Sequence, residues 1–216
     1  MTRMHLLVVA ATEGEIASLT AGPPAGRHQI DRLITGVGMV ATAARVSRAI
    51  AQTRYDLAIN IGVCGAFDRA LSPGTVVHVT SDRLSELGVE DGPAFVPADV
   101  IGLVPGDHAP FAGGRLVNTA PPASAVLAAL PRVSGITVNT VHGDDTSIAA
   151  VVDRYHPQVE SMEGAAFMYA CLVAGVPFAQ IRAVSNYVER RNRAVWKMSE
   201  AIDALGRTVT SILGEL

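Results

Sequence analysis

The chain has 216 residues, 49% of them hydrophobic and 17% charged, which suits one well-buried domain and excludes a disordered chain. Its formal net charge is −3, and the one short basic cluster, Arg190, Arg191 and Arg193, is too small to track a polynucleotide, so no nucleic-acid partner is expected. No stretch approaches the roughly 20 apolar residues of a membrane helix, and two cysteines far apart in apolar surroundings, Cys64 and Cys171, suit a reduced cytoplasmic protein.

Met4 to Ala11 is nearly all apolar and predicts a central strand buried on both faces; the carboxylates that follow at once distinguish it from a signal peptide. Leu33 to Gly36 ends a second strand, and Gly36-Val37-Gly38 turns into an Ala-rich helix from Met39 to Ala51. Leu57 to Gly62 predicts a third strand that leads into a glycine turn, Gly62-Val63-Cys64-Gly65, and Pro73-Gly74 opens a strand from Thr75 to Thr80. From about 84 to 115 the chain is rich in Pro, Gly and Asp and shows no period, so it reads as an irregular excursion or lid. Then come a helix near Ser124 to Leu130, a strand near Val133 to Val141, helices near Ser147 to Tyr155 and Gly164 to Ala174, and a strand from Val176 to Ser185. The last helix carries Ile202, Leu205, Val209 and Ile212 as one apolar stripe. Strands alternating with helices, without linker or repeat, predict a single three-layer α/β/α domain over residues 1–216. Its central sheet is mixed and mostly parallel, with ligands at the carboxyl ends of the strands.

Four segments at those strand ends carry polar residues that a plain loop does not need. In Thr12-Glu13-Gly14-Glu15 the carboxylates either complement a helix dipole or serve a site. Gly62-Val63-Cys64-Gly65-Ala66 lets backbone approach a ligand closely, while Cys64 itself reads as packing, because no His pattern accompanies it. In Glu160-Ser161-Met162-Glu163-Gly164-Ala165, carboxylates break into an apolar strand-to-helix junction, and the small residues after Glu163 leave room above it. In Ile181-Arg182-Ala183-Val184-Ser185-Asn186, an arginine stands among strand formers. Its burial requires a carboxylate or an anion, and Glu15 is the obvious partner.

Gly36-x-Gly38, the GVCGA segment, His142-Gly143-Asp144, Met162-Glu163 and the RAVSN segment ending at Asn186 together resemble the nucleoside phosphorylase and nucleosidase superfamily. The match runs in order through most of the chain and is weakest over 84–115. The resemblance implies that Glu15 holds a nucleophilic water with Arg182 in support. It also implies that Met162 packs on a ribose, that Glu163 accepts from the 2′- and 3′-hydroxyls, and that backbone near Cys64 and Gly65 lies along the base. Ser185 and Asn186 match the pair at the purine N7.

Two departures narrow the resemblance. Asn186 stands where adenine-specific nucleosidases have aspartate; its NH2 suits the O6 of a 6-oxopurine and opposes the 6-amino group of adenine. Val63 stands where phosphorylases have a serine, and the Glu15 carboxylate repels phosphate, so water is the expected attacking group. Arg191 and Arg193 either belong to a solvated loop or, with Trp196, meet a 5′ group that is both aromatic and anionic. The stretch from Ser185 to Trp196 and the segment Glu86 to Gly92 are similar to those of futalosine hydrolases. That similarity implies hydrolytic release of hypoxanthine from futalosine in menaquinone biosynthesis, by a homodimer or higher homo-oligomer. No organic cofactor is called for, and no metal, since the six His residues show no ligand spacing. The rival readings are a 6-oxopurine nucleoside phosphorylase, a methylthioadenosine/S-adenosylhomocysteine-type nucleosidase and a non-catalytic nucleoside-binding protein.

Overall fold

In β1 (His5–Ala10) every residue from Leu6 to Ala10 is buried, because layers of helix cover both faces of this strand. The structure is a computed structural model that describes residues 3–17, 19, 27–104 and 107–216. β1 pairs in parallel with β2 (Gln29–Ile34) on one side and β3 (Leu57–Ala66) on the other. β3 in turn lies parallel to the last strand, β11 (Phe178–Tyr187), which runs antiparallel to β4 (Val76–Asp82). β4 continues in parallel to β9 (Arg132–Thr137), β9 to the short β10 (Val159–Ser161), and β10 returns antiparallel to the end of β3. These pairings close a ring of strands at the end of β3, and that ring frames the site described below.

On one face, α1 (Glu13–Ala17) and α6 (Met198–Glu215) bury Ile16, Leu205, Val209 and Ile212 against Leu6, Val8, Ile59 and Ile181. On the other, α2 (Met39–Gln52) and α5 (Gly164–Ala174) bury Val46, Phe167 and Met168 against Leu7, Val9 and Ala58. This is the expected three-layer arrangement around a mixed sheet. The stripe on α6 is turned slightly from the expected one: Ala201 and Leu213 are buried, while Ile202 lies at its margin. Two short helices complete the layers, α3 (Ala125–Ala129) and α4 (Asp145–Tyr155), capped by the side chains of Ser124 and Asp144.

Three expectations need correction. The GVCGA segment is no turn: Gly62 and Gly65 lie within β3 in register with β11, neither at positive φ, so these glycines provide space instead of a bend. The strand expected to reach Val141 ends at Thr137, and the chain from there to His142 forms a loop beside the site. The segment 84–115 is more ordered than an irregular excursion. It contains a hairpin of β5 (Gly88–Asp91) and β6 (Ala94–Pro97), and β7 (Phe111–Ala112), which pairs with β8 (Arg115–Val117). The Arg154 guanidinium on α4 sits 4.2 Å over the Phe95 ring, and Arg83 pairs with Asp99 at 3.1 Å. Among the described residues, no helix is long and apolar enough to cross a membrane.

Candidate active site

Thr12 and Glu15 cap α1 reciprocally. The Glu15 amide donates to Thr12 Oγ1 (3.3 Å), while Glu15 Oε2 accepts from the Thr12 amide (3.0 Å) and hydroxyl (2.8 Å). The other oxygen, Oε1, accepts from the Val63 amide at 3.1 Å, so this carboxylate ties the helix to β3. Glu15 therefore caps α1 and also lines the cavity described below. A Cβ on Gly62 would fall 2.8 Å from Glu15 Oε1 and 3.2 Å from Arg182 Nη1; glycine there lets both charged groups converge on one point of the strand.

Arg182 is 1% exposed, and its hydrogen bonds run to the Asn60 side-chain oxygen and the Ile181 carbonyl (3.4 Å), not to Glu15. Asn60 is fixed in turn by donating to the Val9 carbonyl at 3.1 Å. As a hydrogen-bond partner of Arg182, the expected Glu15 is thus replaced by an asparagine. The lone polar residue in the apolar run Leu57 to Ile61 was the signal for it.

Glu163 stands at the N-terminal end of α5, and its Oε1 turns away from the helix to accept from the amide of Gly38 at 2.9 Å. Gly36 and Gly38 take positive φ (79° and 98°), as the turn expected at Gly36-x-Gly38 requires. Burial raises the Glu163 carboxyl above its ordinary value of 4.5, opposed by Arg182 and the Gly38 amide and assisted by Glu15. The room expected beside Glu163 is filled: a Cβ on Gly164 would meet Asp82 Oδ2 and Gln180 Nε2, both at 2.2 Å. Asp82 holds Thr137, which accepts the Ala165 amide at 2.7 Å, so this buried network seats the start of α5.

At Ser185 the register of β11 against β3 shifts, so that Asn186 pairs with Gly65. A bulge re-aims side chains, and here the consecutive residues Ser185, Asn186 and Tyr187 all line one cavity. The amide orientation of Asn186 is set by its neighbours. Oδ1 accepts from the Ser185 hydroxyl (2.8 Å), and Nδ2 donates to the Tyr187 carbonyl (2.8 Å), leaving the second N–H available.

The cavity holds about 220 Å3 and brings together Glu15, Cys64, Gly65, Met162, Glu163, Ser185, Asn186, Arg191 and Trp196. Arg182 lies behind this wall. Arg193 does not line the cavity but sits 5.9 Å from the Trp196 ring, with Arg191 at 5.4 Å. Burial raises the Cys64 thiol to about 12, which fits packing and not nucleophilic chemistry. No residue of 84–115 lines the cavity among those described, so the lid reading gains no support there. His142 and Glu160, to which no motif assigns a role, also line the cavity. Among the described residues no group of three or more His, Cys, Asp or Glu is placed to hold a metal ion.

The profile of the Phosphorylase superfamily matches residues 9–214. The futalosine hydrolase of Thermus thermophilus is 32% identical, over 85% of this chain and 80% of its own. That of Streptomyces coelicolor is 31% identical, over 99% of this chain and 95% of its own. The chain belongs to the phosphorylase superfamily and, within it, to the futalosine hydrolase family. The native structure of the Helicobacter pylori futalosine hydrolase superposes with a TM-score of 0.80 at 13% identity, covering 99% of this chain and 98% of that one; it shares the fold. In this chain His142 and Glu160 add polar groups to the cavity wall beyond those at Glu15, Glu163 and Asn186.

Proposed function

We propose that the chain hydrolyses the N-glycosidic bond of futalosine, releasing hypoxanthine and dehypoxanthine futalosine in menaquinone biosynthesis. The observation that carries the choice of water over phosphate is Glu15 Oε1 on the Val63 amide. A backbone N–H that could cradle an anion is already taken by a carboxylate, which orients water and takes its proton but repels a dianion. Glu163 accepts from the ribose hydroxyls, Met162 packs on the sugar, and the bonding pair of N9–C1′ moves into a purine held by Asn186. Arg182 steadies the carboxylates from behind, and its charge opposes the upward shift of Glu163. Trp196 with Arg191 and Arg193 over its ring suits an aromatic, anionic 5′ extension. The chain acts in the cytoplasm as a homodimer or larger. Val37 and Val40, 59% and 79% exposed where α2 starts beside the cavity, suit cover by a second copy.

The test is base release from futalosine, its 6-amino analogue, inosine and methylthioadenosine, each with and without phosphate. Phosphate-independent release of hypoxanthine from futalosine is expected. A phosphate requirement overturns hydrolysis, and preference for methylthioadenosine overturns the substrate. Because only the ionised Glu163 accepts at both oxygens, from the Gly38 amide and from the ribose hydroxyls together, and burial raises its carboxyl, kcat/KM for futalosine falls on acidification with a midpoint above 4.5. A profile flat down to that pH contradicts the role of Glu163.

A further inference from the structure

Glu160 is 4% exposed, on the short strand β10, and both of its oxygens are committed to one residue. Oε1 accepts from the backbone amide of His142 at 3.0 Å, and Oε2 lies 2.7 Å from His142 Nδ1. Because an ionised carboxylate offers only lone pairs, Nδ1 carries the proton, and in the neutral imidazole the other ring nitrogen, Nε2, is left as an acceptor. His142 lines the cavity with its side chain 15% exposed, backed by the edge of the Phe67 ring at 6.2 Å. Nε2 has no hydrogen-bond partner among the described residues. The pair stands at the same end of the cavity as Asn186: a Cβ on Gly65 would lie 3.5 Å from Asn186 Nδ2 and 3.6 Å from Glu160 Cγ.

We propose that His142, fixed in one tautomer by Glu160, is a second reader of the base, its Nε2 accepting the N1–H of a 6-oxopurine. This rests on the assignment of the Asn186 end of the cavity to the base. A 6-oxopurine presents a donor at N1 and an acceptor at O6; adenine presents an acceptor at N1 and a donor at C6. The acceptor at Nε2 and the spare N–H of Asn186 therefore select the same base class twice, by opposite polarities. Glu160 is a positioning residue that reaches the base only through the tautomer it imposes. In Glu160→Gln, the His142 backbone N–H can only donate, so the glutamine carbonyl faces it and the NH2 faces Nδ1. Nδ1 must then lose its proton to Nε2, which becomes a donor, opposing N1–H and matching the N1 lone pair of adenine.

The experiment measures binding of hypoxanthine, 1-methylhypoxanthine and adenine by calorimetry to the wild type, His142→Ala and Glu160→Gln, with 15N NMR of the His142 ring. In the wild type, hypoxanthine binds at least roughly 10-fold tighter than 1-methylhypoxanthine, and the ring is protonated on Nδ1. His142→Ala binds the two 6-oxo bases alike, since the lost ring both accepted N1–H and blocked the methyl group. Glu160→Gln loses roughly 10- to 100-fold for hypoxanthine, gains for adenine and shows its proton on Nε2. Equal binding of hypoxanthine and 1-methylhypoxanthine by the wild type overturns the proposal without any variant having to fold, as does hypoxanthine binding too weak to measure. Equal weakening of both base classes in Glu160→Gln with an unchanged tautomer also overturns it. If the wild type discriminates at N1 but leaves futalosine uncut, the proposed reaction fails and this inference stands; cleavage without discrimination at N1 is the reverse.

Discussion

Glu15→Gln lowers kcat on futalosine by roughly 10²- to 10⁴-fold with little change in KM, the loss expected when a positioned general base is removed. The side chain keeps its size, so what changes is its polarity. Among the described residues, the Thr12 amide, the Thr12 hydroxyl and the Val63 amide donate to the native carboxylate. A glutamine can satisfy one oxygen's donors, but its NH2 then faces another N–H or O–H. That mismatch costs about 1–3 kcal/mol and shows as a lowered Tm. The structural and chemical losses separate in the assay. A variant that is folded at the assay temperature and binds substrate normally, yet turns over hundreds of times more slowly, has lost its base. Near-normal turnover ends the assignment of Glu15 as the group that activates water.

Glu15, Glu163 and Asn186 were legible in the sequence because each places a polar group where an apolar strand meets a loop or helix. The fold was legible for a related reason: strands such as Leu6 to Ala10 and Leu57 to Ile61 are buried on both faces, and a continuous apolar run records this. Less legible was anything decided by pairing between strands. Gly62 and Gly65 read as a turn because glycine usually signals one; the Glu15 carboxylate and Arg182, distant in sequence, make Gly62 a space requirement inside a strand. The bulge at Ser185 has no local signature either, and it is what admits both Ser185 and Asn186 to the cavity. Glu160 was visible as a carboxylate, but its partner His142 lies 18 positions away on a loop, and only the closing of β10 against β3 and β9 brings them together. The hairpin Gly88–Pro97 escaped because its strands are short and none of their residues is buried, so no burial period marks them.

Asn186→Asp lowers the preference for futalosine over its 6-amino analogue, measured as the ratio of kcat/KM values, by roughly 10³-fold or more. Sites that hydrogen-bond a substrate group discriminate on that scale. The neighbours of Asn186 show why so small a change matters. Nδ2 lies 2.8 Å from the Tyr187 carbonyl, an acceptor that a carboxylate oxygen cannot approach unless it carries a proton. Oδ1 remains beside the Ser185 hydroxyl at 2.8 Å, which donates to either residue. An aspartate here is therefore driven to protonate and spends its proton on Tyr187, so only lone pairs are left facing the cavity. Where the asparagine offers an N–H to O6, the aspartate offers an acceptor to a 6-amino group, and the base preference inverts at that position while His142 continues to favour N1–H. The single substitution should thus leave an enzyme mediocre on both bases, and the combination with Glu160→Gln should complete the move towards the 6-amino substrate. If the ratio in Asn186→Asp stays at the wild-type value, Asn186 does not read C6, and the 6-oxopurine preference of this site has to be sought elsewhere in the cavity wall.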